Sequence, residues 1–394
     1  MSSLIPHFRA VFFAAVLLPA VFAFTGCAPS GDSRDGGDNA ILIGEISSIT
    51  GKDGAFGQAA HRGIVLAIER ANARGGVLGR QLQLLTEDNQ SKAGGSGTAA
   101  RKLISRNKVV AILGEVVSSR SLEIASIAQT THTPMISPAS TAESVTQAGD
   151  YVFRVCFLDS FQGTVMAKFA HESLGLRRVG ILSSVSSAYS VGLAKHFKET
   201  FVAAGGTIVA EQKFAEGDKD FKAQLTAIRA SGVDAIYVPA YYTETALISK
   251  QARELGLTIP LMGGDGWGSP ELLKIGGEAV EGIYYSTHYS PENTAPQVVE
   301  FVANYRERWG GEMPDAFAAL GYDAALLLID ALQRAGTTES AALRDAIAST
   351  RGLLGATGRT DIDENRNPSK AATIMTVKNG RFTYVGEVVS DHSH

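Results

Sequence analysis

Hydroxyl, carboxylate and aromatic side chains recur at one kind of place in this chain, just after a short β-branched run. Ser118 and Ser119 follow VVAILGEVV, Ala139-Ser140-Thr141 follow PMISP, Tyr189 follows GILSSVSSA, Tyr241 and Tyr242 follow AIYVPA, and Asp265 with Trp267 follows IPLMG. In open parallel sheets ligands bind beyond the carboxyl ends of the strands, so these residues all fall on the ligand-binding edge. Hydroxyls beside helix N-termini suit a carboxylate, because free N–H groups and the helix dipole favour negative charge there. A buried acid such as Asp265 suits an ammonium group, since a charge taken out of water needs an opposite one. Together they describe a clamp for a zwitterion. Singly, each has a plainer reading: Ser118, Ser119 and Thr141 as helix N-caps, Tyr189, Tyr241 and Trp267 as packing aromatics, and Asp265 of GGDGWGS as a turn former. The combination favours a binding site.

A nucleotide-dependent enzyme is the rival from another class. Gly51, Gly54 and Gly57 form GxxGxxG between the first strand and a helix, and Glu87 and Asp88 end the second strand. The spacing is not GxGxxG, no Walker lysine follows, and the eight His are scattered without metal-ligand spacing. No catalysis, cofactor or metal is expected.

The elements that position these residues alternate strand and helix. The first half reads strand ILIGEI, helix 57–74, strand QLQLLTED, helix 98–107, strand VVAILG, helix 119–130 and strand PMISP. After FRVCFLD the cycle restarts with helix 160–173, strand RRVGILSS, helix 190–204, strand TIVAEQKF, helix 219–230, strand VDAIYVP, helix 243–255 and strands IPLMGG and EGIYYST. Such βα units make parallel sheets buried on both faces. In the first helix Ala60, Ile64, Ile68 and Ala71 share one face, which is expected to pack on the sheet. Helices at 296–308, 315–334 and 339–349 follow, then a strand pair turning at Asn379-Gly380. The fold class is α/β, with two Rossmann-like parallel-sheet lobes.

The N-terminal region carries a basic Arg9 and the apolar run AVFFAAVLLPAVFAF, expected to be a signal peptide over residues 1–26. The run stops at Phe24-Thr25-Gly26-Cys27, similar to the lipobox of bacterial lipoproteins, so Cys27 is the expected lipid attachment point. Residues 27–39 are polar and Gly-rich, a flexible tether. No further run of membrane length is evident in the body, and 45% hydrophobic with 19% charged residues is an ordinary globular composition. A net charge of −4 without a Lys/Arg block excludes nucleic acid as a partner. Of two Cys, Cys156 in FRVCF reads as a buried small hydrophobe.

The chain resembles the Leu/Ile/Val-type substrate-binding proteins of ABC importers, in the type I periplasmic-binding superfamily. The resemblance spans about residues 40–390. It is carried by GKDGAFGQAAHRGIVLAIERANARGGVLG, VVAILGEVVSSRS, PMISPASTAESVTQAGDYVFRVCFLDSFQG, AYSVGLA, the DFK of GDKDFKAQLTAIRASGVDAIYV, LMGGDGW and AFAALGYDA. It implies that Ser118 binds the ligand carboxylate, that the loop Ala139, Ser140 and Thr141 holds carboxylate and ammonium, and that Asp265 faces the α-ammonium. It further implies that Tyr189 and Tyr241 close over the ligand and that Phe56, Val116, Val117 and Phe317 line its side chain. The chain departs from the best-known members in carrying Asp265 for Glu and Ser140 for Ala. A three-crossing hinge is implied, with lobe 1 at 40–158 plus 289–365 and lobe 2 at 159–288 plus 366–394. So are a monomeric, extracytoplasmic protein, an amino-acid ligand with small amides or urea-like solutes as the alternative, permease subunits as partners with a membrane receptor as the alternative, and a membrane tie through Cys27.

Overall fold

The computed structural model describes residues 39–388; the expected signal peptide, the lipid attachment at Cys27 and nearly all of the tether lie outside the described residues. β1 (Ile41–Ser47), β2 (Leu82–Asp88), β3 (Ala111–Leu113), β4 (Met135–Ser137) and β5 (Val152–Arg154) form one parallel sheet in the order β2-β1-β3-β4-β5. β6 (Arg178–Ser184), β7 (Thr207–Phe214), β8 (Ala235–Tyr237), β9 (Leu261–Gly263) and β10 (Tyr284–Thr287) belong to a second sheet. A small ribbon, β11 (Leu353–Gly355) with β12 (Gly358–Thr360), precedes β13 (Ala372–Lys378) and β14 (Arg381–Val388). The last two complete the second sheet, in the order β14-β13-β10-β9-β8-β6-β7. They run antiparallel, so this lobe is parallel only through its first five strands. Their hairpin turns where expected: Asn379 and Gly380 both take positive φ, 53° and 68°, as a two-residue primed turn requires.

The central strands β3, β4, β8 and β9 are buried at every residue, which explains their continuous apolar runs. The edge strands β2 and β7 are half-exposed, against the expectation of burial on both faces. The chain passes between the sheets after β5, after β10 and before β13, since the intervening helix Ala316–Ala335 packs on the first-lobe helix Gly54–Ala73. That contact adds a second partner to the sheet the sequence suggested and accounts for an apolar helix of the body. The apolar face of Gly54–Ala73 meets this helix more extensively than it meets the sheet. Two glycines bring the axes together: a Cβ on Gly63 would lie 1.9 Å from the Ala318 carbonyl oxygen, and one on Gly321 would lie 2.2 Å from that of Ala60. Helix Ala316–Ala335 is also long and apolar enough to cross a membrane by composition, yet 78% of its most apolar window is buried within the protein. It is a core helix.

Candidate ligand-binding site

Helices that begin at the carboxyl ends of the strands converge on one cavity. Phe56 lies in the first turn of Gly54–Ala73, Ser118 opens Ser118–Thr130, and Tyr189 is second in Ala188–Ala203. Tyr241 caps Tyr242–Glu254 and Phe317 is second in Ala316–Ala335. These residues, with Val116, Ala139, Thr141, Asp265 and Gly266, line the space between the lobes. The free volume enclosed there is about 10 Å³, roughly that of one water, so the lobes stand closed on each other and must part to admit a solute.

The first-lobe wall is held by buried polar groups. The Glu115 carboxylate accepts from Ser48 Oγ at 2.6 Å, Asn89 Nδ2 at 3.0 Å and the Val117 N–H at 2.7 Å. Burial pushes its pKa up, opposed by these donors. They fix the turn that presents Val116 and Ser118. The cap of the following helix is Val117, which offers no side-chain acceptor, so Ser118 is not the N-cap; its Oγ instead accepts from the Ala142 N–H at 3.3 Å. Arg154, fully buried on β5, donates to the carbonyls of Ser140 and, at 2.8 Å, Ala142, locking the loop that carries Ala139 and Thr141. Ser118, Ala139 and Thr141 therefore line the cavity from a braced frame.

Two expected residues are placed otherwise. Ser140 turns inward, its hydroxyl donating to the Glu115 carbonyl at 3.0 Å beside Ser121, and its side chain braces the loop without lining the cavity. Val117 is packed in the first-lobe core. Of the plainer candidates, Trp267 is fully buried and donates from Nε1 to the Val238 carbonyl at 3.2 Å, so it is core. Ser119 and Tyr242 join the lobes: the Ala188 N–H donates to Ser119 Oγ at 3.2 Å, and the Tyr242 hydroxyl donates to the Lys52 carbonyl at 2.7 Å.

The second-lobe wall carries the charge. Tyr189 and Tyr241 stack with centroids 5.1 Å apart, and the Gly266 N–H donates to the Tyr189 hydroxyl at 3.2 Å. Burial raises both phenol pKa values well above their ordinary value, so both stay neutral hydrogen-bonding groups. An apolar end is formed by Phe56 and Phe317, whose centroids lie 4.2 Å apart, with Val116 beside them. Asp265 does not stand free for a ligand, as the sequence suggested. Its Oδ1 accepts from Gln162 Nε2 at 3.0 Å, and its Oδ2 lies 2.9 Å from His288 Nε2. Gln162 also donates to Asp159 Oδ1 at 2.9 Å and accepts from Ser286 Oγ at 3.0 Å. Burial lifts the Asp159 pKa well above the usual carboxylate range.

Gly266, Gln162, His288, Glu115 and Arg154 are the contributors that sequence reasoning missed. Gly266 had a signal in GGDGWGS: a Cβ there would meet the Ala240 carbonyl oxygen and Tyr241 Cδ1, each at 2.9 Å. His288 directly follows β10, the kind of position that flagged the others. Among the described residues no His, Cys, Asp and Glu cluster could hold a metal ion.

Two α/β lobes meeting over a small cavity, with hydroxyls at one end, an acid at another and an apolar wall, define a solute-binding protein. A family model described as periplasmic binding protein matches residues 40–381, and the chain belongs to that family. The Leu/Ile/Val-binding protein BraC3 of Rhizobium johnstonii is 29% identical over 306 residues, 76% of this chain and 81% of the relative. Among solved structures, the leucine-binding protein LivK of Thermotoga maritima is 42% identical with a TM-score of 0.85, covering 89% of this chain and 99% of that one. LivJ of Streptococcus pneumoniae, a branched-chain amino acid transporter substrate-binding protein solved with isoleucine, is 33% identical with a TM-score of 0.84, again covering 89% and 99%.

Proposed function

We propose that this chain is the extracytoplasmic solute-binding component of an ABC importer and captures a neutral, branched aliphatic amino acid between its lobes. The observation that carries this reading is the chemistry of one cavity. Ser118 stands at a helix N-terminus suited to a carboxylate with the Thr141 hydroxyl beside it in the lining, Asp265 is the partner for an ammonium, and Phe56, Val116 and Phe317 offer an apolar wall to the side chain. The names of BraC3, LivK and LivJ support the same ligand class.

In this reading the first lobe binds the amino acid in an open form, and hinge closure near residues 158, 289 and 366 brings Tyr189, Tyr241 and Asp265 over it while excluding water. The closed form is what permease subunits recognise. Lipid on Cys27 holds the protein at the membrane; the apolar run ending in Phe24-Thr25-Gly26-Cys27 supports this, and loss of labelled-lipid incorporation in Cys27→Ala would test it.

Titration calorimetry on protein unfolded and refolded to strip ligand tests the main reading. Leucine, isoleucine or valine is expected to bind with a Kd of about 1 μM, equivalent to roughly −8 kcal/mol. Absence of binding by all three, with binding by an amide or an aromatic acid, would overturn the ligand class and keep the fold.

A further inference from the structure

Asp265 is gripped from the hinge. His288 is the first residue beyond β10, where the chain leaves the second sheet, and its ring stacks on Phe157, on the earlier crossing, with centroids 3.6 Å apart. Its side chain is 1% exposed, and among the described residues its Nδ1 has no hydrogen-bond partner. Burial of the ring against this acid favours the neutral tautomer with its proton on Nε2. A protonated imidazolium would bury an unpaired N–H, whereas a neutral ring with the proton on Nε2 donates to Asp265 and leaves only a lone pair unmet. Burial presses the His288 pKa downward; the Asp265 carboxylate opposes it and the Lys370 ammonium reinforces it.

A neutral donor differs from a counter-ion. An ionised carboxylate accepts along about four lone-pair directions, of which Gln162 and His288 occupy one on each oxygen. The carboxylate is thereby fixed in rotation, still on the cavity wall, with its negative charge uncancelled. A short Asp side chain needs this more than a longer acid, because it cannot swing to meet its partner.

We propose that His288, supported by Gln162, is a positioning residue that makes Asp265 selective for a ligand's α-ammonium group, orienting the carboxylate without neutralising it. The inference rests on the reading that Asp265 faces that ammonium.

The test compares L-leucine with 4-methylpentanoate, the same skeleton without the amine, by calorimetric displacement on the full chain. Wild type is expected to prefer leucine strongly. His288→Leu, which removes the donor, should weaken leucine roughly tenfold or more and leave 4-methylpentanoate within about twofold. His288→Gln, whose amide N–H can reach Asp265, should restore most of the preference. Should His288→Leu fail to fold, His288→Asn removes the same contact through its shorter reach. Equal loss for both ligands, or no loss for either, would overturn the positioning role. Asp265→Asn separates the two levels. If it leaves the preference intact, the assignment of Asp265 to the ammonium fails; if it abolishes the preference while His288→Leu does not, only the His288 inference fails.

Discussion

The two walls of the cavity solve different problems. The first-lobe wall presents hydroxyls and a helix N-terminus, and the acid behind it, Glu115, points away into a set of three donors. The second-lobe wall presents an ionisable acid at the surface of the cavity, tied through Gln162 and His288 to the crossings between the lobes. One side is a braced dipolar surface that is complete within its lobe. The other is a charge whose orientation depends on the hinge. A first lobe that is ready before closure, and a second that adds the charge on closure, would bind in that order.

Removing the charge should break the comparison most severely. Asp265→Asn can keep its fold, because it preserves the side chain's shape and its amide oxygen can still accept from His288, yet it leaves a buried ammonium unpaired. Truncating one partner of such a pair costs about 2–5 kcal/mol, so leucine affinity should fall by roughly 30-fold to a few thousandfold in calorimetry. On the opposite wall Ser118→Ala removes one hydrogen bond to a carboxylate, about 1.5–3 kcal/mol, an affinity loss of roughly 10- to 100-fold. A Ser118 loss that exceeds that of Asp265 would invert the picture of where the charge is met.

Glu115→Gln probes the bracing itself. The amide places a donor where the carboxylate accepts only donors, so unfolding free energy measured in urea should fall by about 1–3 kcal/mol. Unchanged stability would mean that the first-lobe wall is not braced by this acid. The smallest effect is expected from Tyr242→Phe, which deletes the interlobe bond to the Lys52 carbonyl. At about 0.5–1.5 kcal/mol it should weaken leucine binding by a few-fold through faster release, with folding little changed.

Much of this architecture was legible in the chain because strand and helix periods are local. Helix 296–308 and strand TIVAEQKF lie where the sequence placed them, and the first helix, expected at 57–74, runs Gly54–Ala73. Ser118, Ala139, Thr141, Tyr189, Tyr241 and Asp265 were legible for a related reason, since the end of a parallel strand is also a place in space, whereas Phe56, Val116 and Phe317 came only with the family resemblance. Residues that act through other side chains were not. Gln162 is an unremarked polar residue inside a helix, and its four partners come from Asp159, Asp265 and Ser286, the last two far along the chain. The eight His were weighed only as metal ligands, so one that orients an acid passed unnoticed. Ser140 and Val117 share a loop with true lining residues, and only the tertiary fold decides which way each points. The ribbon of β11 and β12 was too short to leave a period.

The interleaving of the lobes has a consequence for how the molecule comes into being. Helix Gly54–Ala73 has its close neighbour in Ala316–Ala335, and the second sheet waits for β13 and β14. A nascent chain emerging N-terminus first therefore cannot finish either half until nearly all of it is available, and the apolar face around Gly63 stays uncovered meanwhile. Truncation anywhere before residue 335 should leave two unfinished halves, and biogenesis of this protein should depend on holdase chaperones that cover that face.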